Sequence, residues 1–328
     1  MAVPLSLVGR AVSNYVQKRA YCTSFELTYN CNARCHHCHR GEPIPNEQLA
    51  SPQRLLEICR EIRPLVAIMS GGEPLLRKEL EEIVRTFREG VPLLRIFINT
   101  NGALLTLERY EKLKEAGIDE FLISLDFPDD RHDEFRGIPG LFSRIEGLIA
   151  QLSPEDRRRT VFSSVFQSRN FRDAPRMAEV ALDWGVNINF SAYTWLRTND
   201  KGLMIQPEEI GEFRQVVDHL LQIKAKHGHV LTSDWVLKGM IRFFEQGYIE
   251  NCRAGERSLI VNPDGTLSPC GLLIKDYPTR ASLLEGFTQN NTCTACYTST
   301  RANSERPARH LFLDHLPYLR RNKAQAQA

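Results

Sequence analysis

Seven of the nine cysteines fall into two sets whose spacing suits metal binding. Cys31, Cys35 and Cys38 form a C-x3-C-x2-C run within eight residues, and Cys252, Cys270, Cys293 and Cys296 lie in the last quarter of the chain. Three thiolates on one tight loop suit Zn²⁺ or an iron–sulfur cluster. Zinc would take a fourth ligand, which His36, His37 or His39 could supply. A cluster held by three thiolates keeps one iron open. Spacing alone leaves both choices standing. The four thiols of the second set complete either a tetrahedral zinc site or a fully ligated [4Fe–4S] cluster. Of the remaining two, Cys59 sits in the helical pattern Leu55–Ile62 and reads as core, and nothing marks Cys22 as reactive.

The chain around these sets excludes several function classes. It has 328 residues, with 42 Lys+Arg against 40 Asp+Glu. A net charge of +2 creates no global basic field, so no nucleic-acid partner is expected. No run of about 18 apolar residues is present, which excludes a membrane-spanning helix. The first residues lack the apolar core of a signal peptide, so a cytoplasmic protein is expected. An odd cysteine count in a reducing compartment argues for metal or redox chemistry over a disulfide framework.

The elements that must position the cysteines follow from periodicity. Residues 1–21 read as an amphipathic helix with Leu5, Val8, Val12, Tyr15 and Val16 on one side. We expect it to dock over the protein's own core; its basic Arg10, Lys18 and Arg19 make a position peripheral to an anionic membrane the alternative. Across 22–200, strand-like runs at Ser24–Thr28, Leu65–Met69, Leu94–Ile98, Glu120–Leu125, Thr160–Phe166 and Val186–Phe190 alternate with helical segments. Ser51-Pro52 offers a helix start, and Gly90 and Gly117 stand where helix ends are expected. Six βα units imply a parallel α/β sheet, either doubly wound or curled into a partial barrel. Residues 201–250 form a helical connector. Residues 251–305 carry a hairpin signal, with Asn262-Pro263-Asp264-Gly265 between two apolar runs. Residues 306–328 are a basic tail.

Several motifs fall at the C-terminal ends of the strands, where ligands bind in parallel sheets and barrels. Gly71-Gly72-Glu73-Pro74 follows the second strand; the glycines permit close backbone approach and Glu73 offers a carboxylate to an ammonium group. Asn99 and Asn101 follow the third strand, and Ser124 and Asp126 end the fourth. These should converge with Cys31, Cys35 and Cys38 on one pocket. Arg136, Tyr193 and Arg197 are candidate substrate contacts on its rim, with Tyr297 and Arg301 facing the same cavity.

The cysteine triplet after the first strand and the Gly-Gly-Glu-Pro after the second resemble the radical S-adenosylmethionine (SAM) enzymes. The resemblance covers about residues 22–195. It implies a partial (β/α)6 barrel with a small C-terminal α+β iron–sulfur module. A [4Fe–4S] cluster on Cys31, Cys35 and Cys38 would bind SAM at its open iron. Glu73 would contact the methionyl amino group, Ser124 and Asp126 the ribose, and Gly71, Gly72, Pro74, Asn99 and Asn101 would line the cofactor site. The segment from His132 to Gly140 is similar to a loop of the same enzymes. The implied reaction is reductive cleavage of SAM to a 5′-deoxyadenosyl radical, which abstracts hydrogen from the substrate, with an electron donor such as flavodoxin or ferredoxin. The second cysteine set is similar to the twitch module, with one auxiliary [4Fe–4S] cluster. The larger SPASM module would need more cysteines than Cys22 and Cys59 provide. A closed auxiliary cluster points to electron transfer and an oxidative outcome. The alternatives are a redox-neutral enzyme acting on a lipid or membrane-associated substrate, a peptide-modifying enzyme, and a non-catalytic zinc-binding protein.

Overall fold

The computed structural model describes residues 5–307. The alternation of side chains along six parallel strands sets the architecture. These are β1 (Cys22–Glu26), β2 (Val66–Ser70), β3 (Arg95–Thr100), β4 (Glu120–Ser124), β5 (Thr160–Phe166) and β6 (Asn187–Ala192). On one face Phe25, Met69, Ile98, Phe121, Phe162 and Phe190 are wholly buried. In-register neighbours such as Met69–Ile98 and Ile98–Phe121 make this face continuous across strands. Each such side chain contributes roughly 1.5–3 kcal/mol of burial. The opposite positions, including Ser24, Ser70, Ser124 and Ser163, are only partly covered and face a cavity.

Helices cover the apolar face. They are α2 (Pro52–Ile62), α3 (Leu80–Gly90), α4 (Leu107–Ala116), α5 (Arg131–Arg136), α6 (Leu141–Gln151), α7 (Pro154–Arg159) and α8 (Ala174–Asp183), following an N-terminal α1 (Leu5–Val16). Their starts agree with local sequence. Ser51, Thr106 and Ser153 accept hydrogen bonds from backbone N–H groups of the first turns of α2, α4 and α7, satisfying donors that otherwise lack partners. Gly117 ends α4 as expected. Gly90 instead lies within α3, where an added Cβ would come 2.6 Å from Leu56; it is needed for α2–α3 packing and not for a cap.

The strand order is β6-β5-β4-β3-β2-β1-β7-β8, with every pair from β1 to β6 parallel. Sequential neighbours without a reversal of order curl one way, as an arc of a barrel and not a doubly wound sheet. Two helices, α9 (Ile210–His227) and α10 (Asp234–Gln246), lead to the other edge. There β7 (Ser258–Val261) pairs parallel with β1, and β8 (Leu267–Ser268) returns antiparallel beside it. The hairpin signal was therefore correct, and its first strand extends the main sheet. Two short helices complete the described chain, α11 (Arg280–Gly286) and α12 (Ser299–Glu305).

The sheet does not close. Side chains at and just after the end of β6 instead bond to the segments that follow β8. Thr194 Oγ1 donates to Ala295 O (2.6 Å), the Ser299 N–H donates to Ser191 Oγ (2.9 Å), and Arg197 donates to Gly271 O (2.6 Å).

The N-terminal helix departs from expectation. Val12, Tyr15 and Val16 of the apolar stripe remain 56%, 48% and 73% exposed. Polar side chains attach α1 instead. Asn14 donates to Ala20 O and Arg63 O, and Arg10 donates to Pro64 O and Pro92 O. Three of those carbonyls lie just beyond α2 and α3, where helix ends leave acceptors unsatisfied. Among the described residues no helix is long and apolar enough to cross a membrane. The basic tail beyond residue 307 lies outside the described residues.

Candidate active site

The C-terminal ends of the strands open into a cavity of about 390 Å³. Both cysteine sets line it, although more than two hundred positions separate them in sequence. Cys31, Cys35 and Cys38 sit on the loop after β1. Cys252 precedes β7, Cys270 follows β8, and Cys293 and Cys296 precede α12. None of them forms a disulfide among the described residues. Burial pushes the Cys31 and Cys296 thiols up to about 11 and raises Cys35 and Cys270. The side-chain hydrogen bond between Cys252 and Cys293 draws the Cys293 thiol down to about 6.

Donors point at these sulfurs. The Ala33 N–H donates to Cys31 Sγ and the Leu273 N–H to Cys270 Sγ, each at 3.4 Å. Arg136 Nη1 donates to Cys35 Sγ and Arg197 Nη1 to Cys38 Sγ, each at 3.6 Å. Such donors suit sulfur carrying negative charge. Among the described residues no three His, Cys, Asp or Glu side chains converge as a single ion would require. Each iron of a four-iron cluster takes its own thiolate, which fits sulfurs spread around a shared cavity. By thiol count the first set suits a cluster with one open iron, and the second suits a closed cluster or a tetrahedral zinc ion.

Gly71 and Gly72 line the cavity, but their glycine identity has a different cause from the one expected. A Cβ on Gly71 would lie 2.2 Å from Thr28 O, and one on Gly72 the same distance from Asn30 O. Gly71 also has φ +141°, a conformation that favours glycine. The close approach seen here is to the chain leading into Cys31. The Gly72 N–H donates to Thr28 O (2.7 Å) and the Glu73 N–H to Asn30 O (2.9 Å), locking the two loops together.

Glu73 and Pro74 are buried and do not line the cavity. The Glu73 carboxylate accepts from Thr100 Oγ1 (2.7 Å), the Asn101 N–H (2.8 Å) and the Leu75 N–H (3.1 Å). Burial pushes this carboxyl up while those donors pull it back. It therefore acts here as a hub between the loops after β2 and β3. Asn99 and Asn101 do line the cavity, and Asn101 donates to Asn32 Oδ1 (2.8 Å), beside Cys31.

Ser124 also faces the cavity, but Asp126 lies behind it, wholly buried. Asp126 Oδ2 accepts from Arg136 Nε (2.8 Å), and Oδ1 accepts from the Val165 N–H (3.3 Å). Burial pushes the Asp126 carboxyl up, but Arg136, with His37 and His132, outweighs this and holds it below its ordinary range. Arg136 is committed to Asp126 and Cys35, and its carbonyl accepts from the Arg34 N–H (3.0 Å). Arg136 lines the cavity as expected, and it also supports the cysteine loop. Burial draws His37 and His132 down to about 4, so both imidazoles are neutral near pH 7.

On the rim, the Tyr193 hydroxyl is spent on Thr198 and on Asp200 O (2.9 Å). Tyr297 is buried against Gly239 and is not in the cavity. Arg301 reaches the cavity edge but is engaged by Cys296 O (2.7 Å), Ile249 O (2.7 Å) and Glu305 (3.0 Å). Two charged groups in the cavity escaped sequence reasoning. Glu26 is 7% exposed with Oε2 lacking a hydrogen-bond partner among the described residues, and Arg40 stacks 3.5 Å over the Tyr29 ring. The available signal for Glu26 was a charge inside a parallel strand, where apolar runs are usual.

Comparisons with known proteins agree with this arrangement. Residues 25–181 match the Radical SAM superfamily. An AdoMet-dependent heme synthase from Methanosarcina barkeri is 34% identical over 270 residues, 76% of each chain. The subtilosin biosynthesis protein AlbA of Bacillus subtilis is 25% identical over 306 residues, 90% of this chain and 64% of that one. In fold, the structure resembles Streptococcus suis SuiB bound to S-adenosylmethionine, with a TM-score of 0.65 at 14% identity over 87% of this chain and 70% of that one.

Proposed function

This chain belongs to the radical SAM superfamily, and from that premise we propose that it oxidises its substrate with two [4Fe–4S] clusters facing one cavity. The observation that carries the reading is the convergence of both cysteine sets on that cavity. Cys31, Cys35 and Cys38 would hold the cluster that binds SAM. Cys252, Cys270, Cys293 and Cys296 would hold the auxiliary cluster of a twitch-like module spanning residues 251–305. When bound, these groups supply reductive SAM cleavage, hydrogen abstraction and acceptance of the substrate's electron. An external reductant supplies the first electron.

The chain's own residues bind and orient. Asn99, Asn101 and Ser124 offer polar contacts to SAM from the ends of β3 and β4. Gly71, Gly72, Glu73 and Pro74 hold the loop that sets the depth of the cysteine triplet. Asp126 fixes Arg136 beneath Cys35. Thr194 and Ser191 bond to the segment after Cys293 and so tie the two edges of the sheet together.

The heme synthase likeness favours a tetrapyrrole substrate. A second reading, peptide modification, draws on AlbA, of which the chain spans 64%. The test is anaerobic SAM cleavage by reduced, iron-loaded protein with heme precursors, peptides and cell extract. Formation of 5′-deoxyadenosine that Cys31→Ala abolishes is expected. Failure of the wild-type protein to form it under every condition would overturn the reading.

A further inference from the structure

Two arginines donate to sulfurs of the first cysteine set, but their charges are handled differently. Arg136 reaches Cys35 Sγ while paired with the buried Asp126 carboxylate, so it brings little net charge. Arg197 reaches Cys38 Sγ at 3.6 Å and forms no ion pair among the described residues. Its other terminal nitrogen donates to Gly271 O at 2.6 Å, the residue after Cys270. One guanidinium thus spans from the first cysteine set to the second, across the gap between the two edges of the sheet.

That position has an electrostatic consequence. Each electron added to a cluster makes it more negative, and a nearby cation favours the reduced form. Arg197 is half-buried inside the cavity rim, so salt screens it less than a surface charge. Hydrogen bonds to cluster sulfurs act in the same direction.

We infer that Arg197 is a positioning residue that raises the reduction potentials of both clusters while tying the two cysteine sets together. The inference rests on the two-cluster reading.

The test is a potentiometric titration of iron-loaded, SAM-free protein followed by electron paramagnetic resonance. Arg197→Gln and Arg197→Met remove the charge. At a fixed potential, the ratio of reduced to oxidised cluster should fall roughly tenfold, equal to about 59 mV for one electron. Arg197→Lys should recover most of the loss. Thr194→Val, which breaks a neighbouring contact across the same gap without changing charge, should titrate as wild type. Wild-type ratios in both neutral variants would overturn the inference. So would an equal fall in Arg197→Lys or Thr194→Val, because charge would then not be the agent. A wild-type protein holding only one four-iron cluster would instead remove the two-cluster reading, leaving Arg197 to be judged on that cluster.

Discussion

Replacing Asp126 with Ala should destabilise the protein far more than an ordinary surface change. Asp126 is wholly buried, and its partner Arg136 is 7% exposed. Removing the carboxylate leaves a nearly buried guanidinium without its counter-charge, which costs about 3–5 kcal/mol. The Val165 N–H also loses its acceptor, although at 3.3 Å that bond adds little. We expect a net loss of about 4 kcal/mol, a large share of a typical folding stability of about 5–15 kcal/mol. Urea unfolding of the iron-free protein reads it directly. With a slope of about 2–3 kcal/mol/M the midpoint should fall by about 1–2 M. Because the penalty comes from the stranded charge, Asp126→Ala combined with Arg136→Met should recover much of the loss. A midpoint shift in Asp126→Ala worth less than about 0.5 kcal/mol would refute the reasoning, as would a double variant no better than the single.

Gly72→Ala forces a Cβ to 2.2 Å from Asn30 O; the loops must separate, so SAM cleavage should be lost and the melting temperature lowered. Arg301→Ala leaves the Cys296, Ile249 and Glu250 carbonyls without their donor, and iron analysis should show the second cluster lost before the first. Burial raises the Cys59 thiol to about 12 from an ordinary value near 9. The folded state therefore holds this proton more tightly than the unfolded state. The stability it contributes is fully present below pH 9 and is lost as pH rises toward 12. Thermal melts across that window should show a decline that is shallower in Cys59→Ala.

The strands, the hairpin and the meeting of motifs at one end of the sheet were legible because each rests on local periodicity. Alternation in Val66–Ser70 or Thr160–Phe166 is visible residue by residue. The chemical class was legible too, since the cysteine triplet and Gly-Gly-Glu-Pro are short contiguous signals. What could not be read was the partner of each polar side chain. Glu73, Asp126 and Arg136 looked like ligand contacts because they sit beside strand ends. Tertiary packing gives each a protein partner that no local pattern announces: the Asn101 N–H for Glu73, the Val165 N–H and Arg136 for Asp126, and the Cys35 sulfur for Arg136. The glycines were correctly singled out, but for a contact with Thr28 and Asn30 that depends on loop geometry. Likewise α1 carries an apolar stripe that predicts docking, yet carbonyls beyond α2 and α3 compete for its polar face.

The most direct test of the central claim is iron and sulfide analysis after anaerobic purification of the wild-type protein and of the triple variant Cys270→Ala/Cys293→Ala/Cys296→Ala, because three remaining thiolates can still hold a cluster. Two clusters require about eight irons per wild-type chain, and the variant should retain about four that still cleave SAM. Two zinc ions per chain with no iron, or a variant that keeps all eight irons, would contradict the assignment of the second cysteine set.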